Sequence, residues 1–244
     1  MPPLKAGTRR IVPPPVPIPA QVEAAIAALR RAGSKRTRDE MSTRYGITLP
    51  DPSRTFGVSM ARIQRIAKPI AAAPDAHEIA LALWETGWYE ARLLAALVDQ
   101  PERVTSSQMD RWCRDFDNWG VCDTVCFKLF DRVPPNLAFR KVREWSGRKD
   151  EFQKRAAFAL LACLALHDKT SADVPFVRCM PLIEQAAPDN RNFVMKGVSW
   201  ALRAVGRRSP GLRAPAAAMA RRLASSDSAT PRWIGKDALR ELAR

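Results

Sequence analysis

From residue 20 onward the chain is a near-continuous series of helix-forming stretches separated by gaps of a few residues, with almost nothing that reads as a strand. Apolar residues recur at helical spacing, Pro, Gly, Asp or Ser punctuates them, and no alternating β-branched stretch stands out. The pattern predicts helices at 20–32, 35–45, 57–72, 75–87, 89–98, 106–116, 119–131, 135–145, 149–167, 173–187, 191–206, 212–225 and 231–243. So many helices joined by short turns do not close into one simple bundle. Successive pairs of about 35–45 residues match the period of HEAT or armadillo units, although no tight sequence repeat is visible. The expected fold is all-α: a solenoid of antiparallel helical repeats, curved, with a concave basic face. An irregular helical globule is the alternative.

Seven of the first 19 residues are proline, which removes backbone donors and fixes φ. Residues 1–19 therefore read as a flexible tail, and 20–244 as a single domain. The tail has no apolar core of the kind a secretory signal needs. The longest apolar run, Ala156 to Leu166, is about half the length of a membrane span. A soluble protein of a bacterial-type cytoplasm is expected, associated with the nucleoid when on DNA. Five cysteines sit in helical apolar patterns and read as buried thiols. Cys122 and Cys126 lie one turn apart, but no second Cys/His pair accompanies them at ligand spacing, so core packing is the reading rather than metal.

The net charge of +15 is unevenly placed. Residues 1–44 carry 9 basic and 3 acidic side chains, residues 191–244 carry 12 and 3, and the middle carries 19 of each. Arg outnumbers Lys 30 to 10, which favours fork-like hydrogen bonding to phosphate. A polyanion, most simply nucleic acid, is the leading partner class; a plain solubility charge is the competing reading. There is no Gly-rich phosphate loop, HExxH, GxSxG or Walker lysine. The two histidines, His77 and His167, are far apart in the chain, which gives little support to histidine-based nucleophilic catalysis.

Three segments stand out. In the first, Trp119 and Asp123 are spaced i, i+4 on one helical face, with Cys122, Val125, Cys126 and Leu129 on the apolar side. A carboxylate beside buried surface needs a partner or a function, and the simpler reading is an ion pair with an arginine of the next helix. The second runs from Trp145-Ser146-Gly147-Arg148 into Glu151 to Ala157, where Lys154 and Arg155 border a buried stripe. The simpler reading of Arg155 is a snorkelling surface side chain. In the third, Asp189 to Arg203, the residues Lys196, Trp200 and Arg203 share one face, an aromatic between two cations. That suits close approach to a nucleotide, although a core tryptophan with incidental basic neighbours fits equally well.

Together these segments resemble the AlkD-like DNA alkylation repair glycosylases, which are built from HEAT-like repeats. The resemblance spans about 35–243 and takes in Arg44-Tyr45-Gly46, Gly57-Val58, Arg65, Ile66, Lys68, Leu81 to Trp84 and Glu90-Ala91-Arg92. It implies that Trp119, Asp123, Arg155 and Trp200 are active-site residues, with Asp123 catalytic and Arg155 gripping a backbone phosphate. Arg203, Lys196, Lys154 and Arg148 are the candidate DNA-contacting side chains. Phe152 stands where the family has a tryptophan ahead of the arginine, Gly197 replaces the usual alanine, and the first two helices are the least family-like. The implied activity is hydrolysis of the N-glycosidic bond of N3- or N7-alkylated purines in duplex DNA, by a monomer without metal or organic cofactor. A non-catalytic module binding damaged or branched DNA and a protein–protein scaffold are the alternatives.

Overall fold

The computed structural model describes residues 16–242. Among them are thirteen α-helices and no strands: α1 (Ile18–Ala32), α2 (Lys35–Thr43), α3 (Met60–Ala71), α4 (Ala76–Glu85), α5 (Tyr89–Val98), α6 (Ser106–Arg114), α7 (Trp119–Lys128), α8 (Pro135–Ser146), α9 (Glu151–His167), α10 (Val174–Ala186), α11 (Asn192–Arg208), α12 (Pro210–Ala224) and α13 (Ala229–Leu242). Each expected helix is present. The Pro-rich stretch up to residue 15 lies outside the described residues, but Ile18 and Pro19, expected in the tail, already belong to α1. Proline fits a first turn, where its missing N–H would have no partner anyway.

Two boundaries moved for local reasons. The third helix starts at Met60 rather than 57 because Gly57 has φ +73° and its Cα lies where a side chain would meet the Ser34 carbonyl at 2.4 Å. That turn is clamped by the fully buried Glu90 carboxylate, which accepts from the backbone N–H groups of Phe56, Gly57 and Val58 and from the Thr55 hydroxyl at 2.7–3.1 Å. The seventh helix stops at Lys128, because Leu129 leaves helical geometry at φ −134° and Phe130–Arg132 form a separate 3-10 turn.

The helices form two layers. In one, α3, α5, α7, α9, α11 and α13 lie successively side by side; in the other, α8, α10 and α12 do the same, and α1 packs on α3, α4 and α5. Hairpins α4–α5, α8–α9 and α12–α13 join the layers, as expected of HEAT-like repeats stacking neighbour on neighbour. The core runs through the whole array, with α9 buried continuously from Arg155 to Ala165. Trp84 and Trp112 stack at 4.0 Å within it, and the Trp84 and Trp145 indoles donate to Asp115 and Asp110. No helix among the described residues is long and apolar enough to cross a membrane.

Hydrogen bonds fix the register along the first layer. The Cys122 and Cys126 thiols reach the Phe152 and Ala156 carbonyls. The Glu151 carboxylate accepts from the Phe193 N–H at 3.0 Å. The Ser199 hydroxyl donates to Asp237 at 2.6 Å, and Arg207 pairs with Glu241. Helices α7, α9, α11 and α13 are therefore parallel, and their N-termini open on one edge of the molecule.

Candidate nucleic-acid interface

Three of the parallel helices place the candidate residues. At the start of α7, Asn118 caps the helix by accepting from the Val121 N–H at 2.9 Å. Gly120 brings the first turn against α5, where a Cβ would sit 2.5 Å from the Tyr89 hydroxyl. This fixes Trp119, whose indole N–H donates to the Tyr45 carbonyl at 3.2 Å, and one turn later Asp123. At the start of α9, Asp150 accepts from Phe152 and Gln153 N–H at 3.0 Å each, and Arg155 follows one turn inside.

Asp123 and Arg155 meet as a fork-to-carboxylate pair. Arg155 Nε donates to Asp123 Oδ1 at 2.8 Å and Nη2 to Oδ2 at 2.7 Å, while Nη1 reaches across to the Phe193 carbonyl at 2.7 Å. The Arg155 side chain is 8% exposed and that of Asp123 19%. Burial opposes the charge on Arg155, but the adjacent Asp123 carboxylate overrides it and holds the guanidinium pKa above its ordinary value. Phe193 covers the guanidinium at 5.9 Å and leans on Phe152 at 5.2 Å. Gly197 packs above, with space for a Cβ 3.5 Å from Arg155 Cγ.

This arrangement differs from the one expected of Arg155. It is not a snorkelling surface residue; it is buried, and its Nε, Nη1 and Nη2 donate to Asp123 and to the backbone of α11. The partner of Asp123 comes from the second helix along rather than the next one, because α8 lies in the other layer. A buried fork held by a carboxylate and a carbonyl orients the carboxylate closely.

Trp200 lies one turn further along α11, partly buried against the core, as Trp119 is. Lys196 is exposed beside it, and Arg148 is exposed in the turn before α9; neither has an ion-pair partner among the described residues. Two other candidates are engaged inside the fold. Lys154 pairs with Asp189 at 2.9 Å, and Arg203 holds Glu241 and the Ser199 carbonyl, with Asp237 at 3.5 Å. Arg191 and Lys154 together hold the Asp189 carboxyl well below the usual carboxylate range, against the opposing effect of burial.

Tyr45 was not singled out by residue spacing. It is 49% exposed, its backbone carbonyl holds Trp119, and the Arg44 guanidinium lies 5.5 Å from its ring centroid. The signal available was the Arg-Tyr-Gly triplet, in which Gly46 takes φ +60° and turns the chain back after α2. Among the described residues no group of three or more His, Cys, Asp or Glu side chains could hold a metal ion.

The family model for DNA alkylation repair enzymes matches residues 25–242, nearly the whole helical array. The chain belongs to this DNA alkylation repair enzyme family. No curated protein matches it in sequence. Among solved structures, the chain is similar to a member of a new family of proteins related to the HEAT-like repeat DNA glycosylases, with affinity for branched DNA structures. The TM-score is 0.70 at 20% identity, covering 91% of this chain and 95% of that one. A second similar structure, smu.31 from Streptococcus mutans UA159, has a TM-score of 0.49 at 14% identity, covering 89% and 97%. The first likeness carries the HEAT-like repeat fold over to this member of the family. The row of helices α7, α9 and α11 is then its candidate nucleic-acid face.

Proposed function

We propose that the protein is a DNA glycosylase of base excision repair, hydrolysing the N-glycosidic bond of positively charged N3- or N7-alkylated purines in duplex DNA. The observation that supports this best is the Asp123 carboxylate held on both oxygens by buried Arg155 at 2.7–2.8 Å, one turn from Trp119.

An alkylated purine already carries positive charge, so its bond to the sugar is weak. As that bond breaks, the electron pair returns to the ring and the base leaves neutral without a general acid. Charge builds instead on the deoxyribose as an oxocarbenium ion. Asp123, fixed before the reaction, stabilises that charge and orients the attacking water, whose oxygen bonds to C1′ and whose proton passes through the carboxylate to solvent. The faces of Trp119 and Trp200 present negative quadrupoles to the same cation. Arg155 acts as a positioning residue behind the carboxylate, and the exposed cations Lys196 and Arg148 are assigned to backbone phosphates. Lys154 and Arg203, tied to Asp189 and Glu241, support the elements that carry them.

Base release from methylated duplex, separated by chromatography, tests the reading. Wild type should release 3-methyladenine or 7-methylguanine, and Asp123→Asn should release neither while binding the duplex about as well. Undiminished release by the variant overturns the mechanism. A second reading is a non-catalytic module that binds branched DNA. It is favoured by the same ion pair, since a carboxylate already matched by a buried guanidinium has less charge to offer a cationic sugar. It predicts no base release from wild type and tighter binding to a junction than to a linear duplex.

A further inference from the structure

At the opposite ends of α7 and α9 from Asp123, a second polar constellation surrounds a cavity. His167 closes α9, twelve residues and about 18 Å along the helix from Arg155. Its Nδ1 is hydrogen-bonded to Asp131 Oδ2 in the 3-10 turn after α7; the Asp131 side chain is fully buried and that of His167 is 38% exposed. The other carboxylate oxygen, Asp131 Oδ1, is buried without a partner. Phe127 stands edge-on to the imidazole, ring centroids 4.4 Å apart at 80°. The grip on Nδ1 fixes the orientation of the ring and leaves Nε2 as the nitrogen for a ligand.

The cavity beside this pair holds about 640 Å³ and is also lined by Lys128, Arg132, Lys169 and Asp168. The three cations have no carboxylate partner among the described residues; Lys128 rests only against the Phe127 ring, 4.8 Å from its centroid. Burial works against the charge of Asp168, but hydrogen bonds from Ser171 and Thr170 hold its carboxyl at about 2, so it stays anionic. Outside the His167–Asp131 pair, three positive charges face one carboxylate, Asp168. The surplus of two equals the charge of a phosphate dianion, and exceeds that of an internucleotide diester.

We propose that this cavity is a phosphate-dianion site, with His167 Nε2, Lys128, Arg132 and Lys169 as donors and buried Asp131 as the anchor of the imidazole. A cavity wall of one oriented imidazole and three uncommitted cations is suited to charge-assisted hydrogen bonds on several faces of one phosphate. His167 lies about 18 Å along α9 from Arg155, and the site rests on nothing in the glycosylase reading. Its ligand is a free phosphate or a terminal phosphomonoester.

Calorimetric titration of the full chain in chloride buffer tests this, with inorganic phosphate, a deoxynucleoside 5′-monophosphate, and a duplex carrying only internal diesters and hydroxyl ends. Wild type and Asp123→Asn should each show one saturable site for inorganic phosphate. His167→Gln should bind about tenfold more weakly, as expected for the loss of one charge-assisted hydrogen bond. Lys169→Ala, at an exposed position that leaves the fold intact, should bind several-fold more weakly. Competition by the monophosphate assigns the site to phosphomonoesters; binding of inorganic phosphate alone assigns it to the free ion. Absence of saturable binding, equal binding by His167→Gln and Lys169→Ala, or displacement by the hydroxyl-ended duplex as effective as that by the monophosphate overturns the proposal.

Discussion

Removing Arg155 should cost stability out of proportion to one surface arginine. In wild type its side chain is 8% exposed, and it makes two bonds to Asp123 and one to the Phe193 carbonyl. Arg155→Ala strands a carboxylate that is only 19% exposed. Truncating one partner of a buried pair costs about 3–5 kcal/mol, and the partial exposure of Asp123 sets the figure near the lower end, about 3 kcal/mol. For a chain of this length that is a fall in Tm of about 6–12 °C. A double-mutant cycle with Asp123→Ala, read by denaturant unfolding, should give a coupling energy of about 2–3 kcal/mol, against 0.2–1 kcal/mol for an exposed pair. The kinetic arm uses Arg155→Lys, which keeps the charge and loses the fork. If Arg155 positions the carboxylate, kcat for base release falls while KM for duplex stays near wild type. A coupling energy below about 0.5 kcal/mol would refute the buried pair. A raised KM with unchanged kcat would refute the positioning role and return Arg155 to a phosphate.

Five shorter tests follow from the same structure. Gly197→Ala should raise stability by about 0.5–1 kcal/mol in thermal unfolding, since its Cβ meets Arg155 Cγ at an ordinary 3.5 Å in a helix interior. Gly235→Ala, whose Cβ would lie 2.2 Å from the Ala224 nitrogen, should lower stability by about 2 kcal/mol or more. Because the Asp189 carboxyl is depressed in the fold, its contribution is present above the unfolded carboxylate pKa of about 4 and fades as pH falls below it; Asp189→Asn should flatten the acid limb of a stability–pH curve. All five thiols are buried, and burial pushes Cys179 up to about 11 and raises Cys113, Cys126 and Cys163 as well. A thiol reagent should therefore find no fast-reacting cysteine before unfolding. Duplex binding should follow salt with a log–log slope of about −3, from three exposed cations beside the site that are unpaired among the described residues (Arg44, Arg148 and Lys196); a slope near −10 would mean that the ion pairs open on binding.

The helices were legible because each has its own apolar period and punctuation, and the errors sit where a distant residue decides. Glu90 delays α3 from some thirty residues away by taking the N–H groups of Phe56 to Val58, which no window around residue 57 contains. The face shared by Trp119 and Asp123 was readable because one turn of one helix makes it. The partner of Asp123 was not, since the pairing crosses 32 residues and skips α8. Lys154 and Arg203 stand among the candidate DNA contacts for the same reason: the carboxylates that take them, Asp189 and Glu241, come from later elements that chain spacing does not bring near. His167 and Asp131, separated by 36 residues, form a pair that only the parallel register of α7 and α9 creates.

The excess of arginine over lysine then carries a meaning beyond phosphate recognition. A stack of repeats has few long-range contacts apart from those between neighbouring units, so each interface must be fastened locally. Arginine suits that task because one planar fork spans to a carboxylate and a carbonyl together. Arg155 ties α7 to α9 and to the backbone of α11. Arg203 ties α11 to α13, and Arg222 reaches from α12 to Glu184 on α10. Arg208 holds the Asp168 and Ser171 carbonyls after α9. Arg191 links Asp189 to the Lys149 carbonyl. Several of these lie in the C-terminal stretch whose surplus charge pointed to a polyanion. That surplus is therefore partly structural, and the charge left for a polyanion resides in cations such as Lys196 and Arg148 that the fasteners leave uncommitted. Net charge favours an encounter with a polyanion; which residues are free to hold it depends on which arginines the repeats have already used.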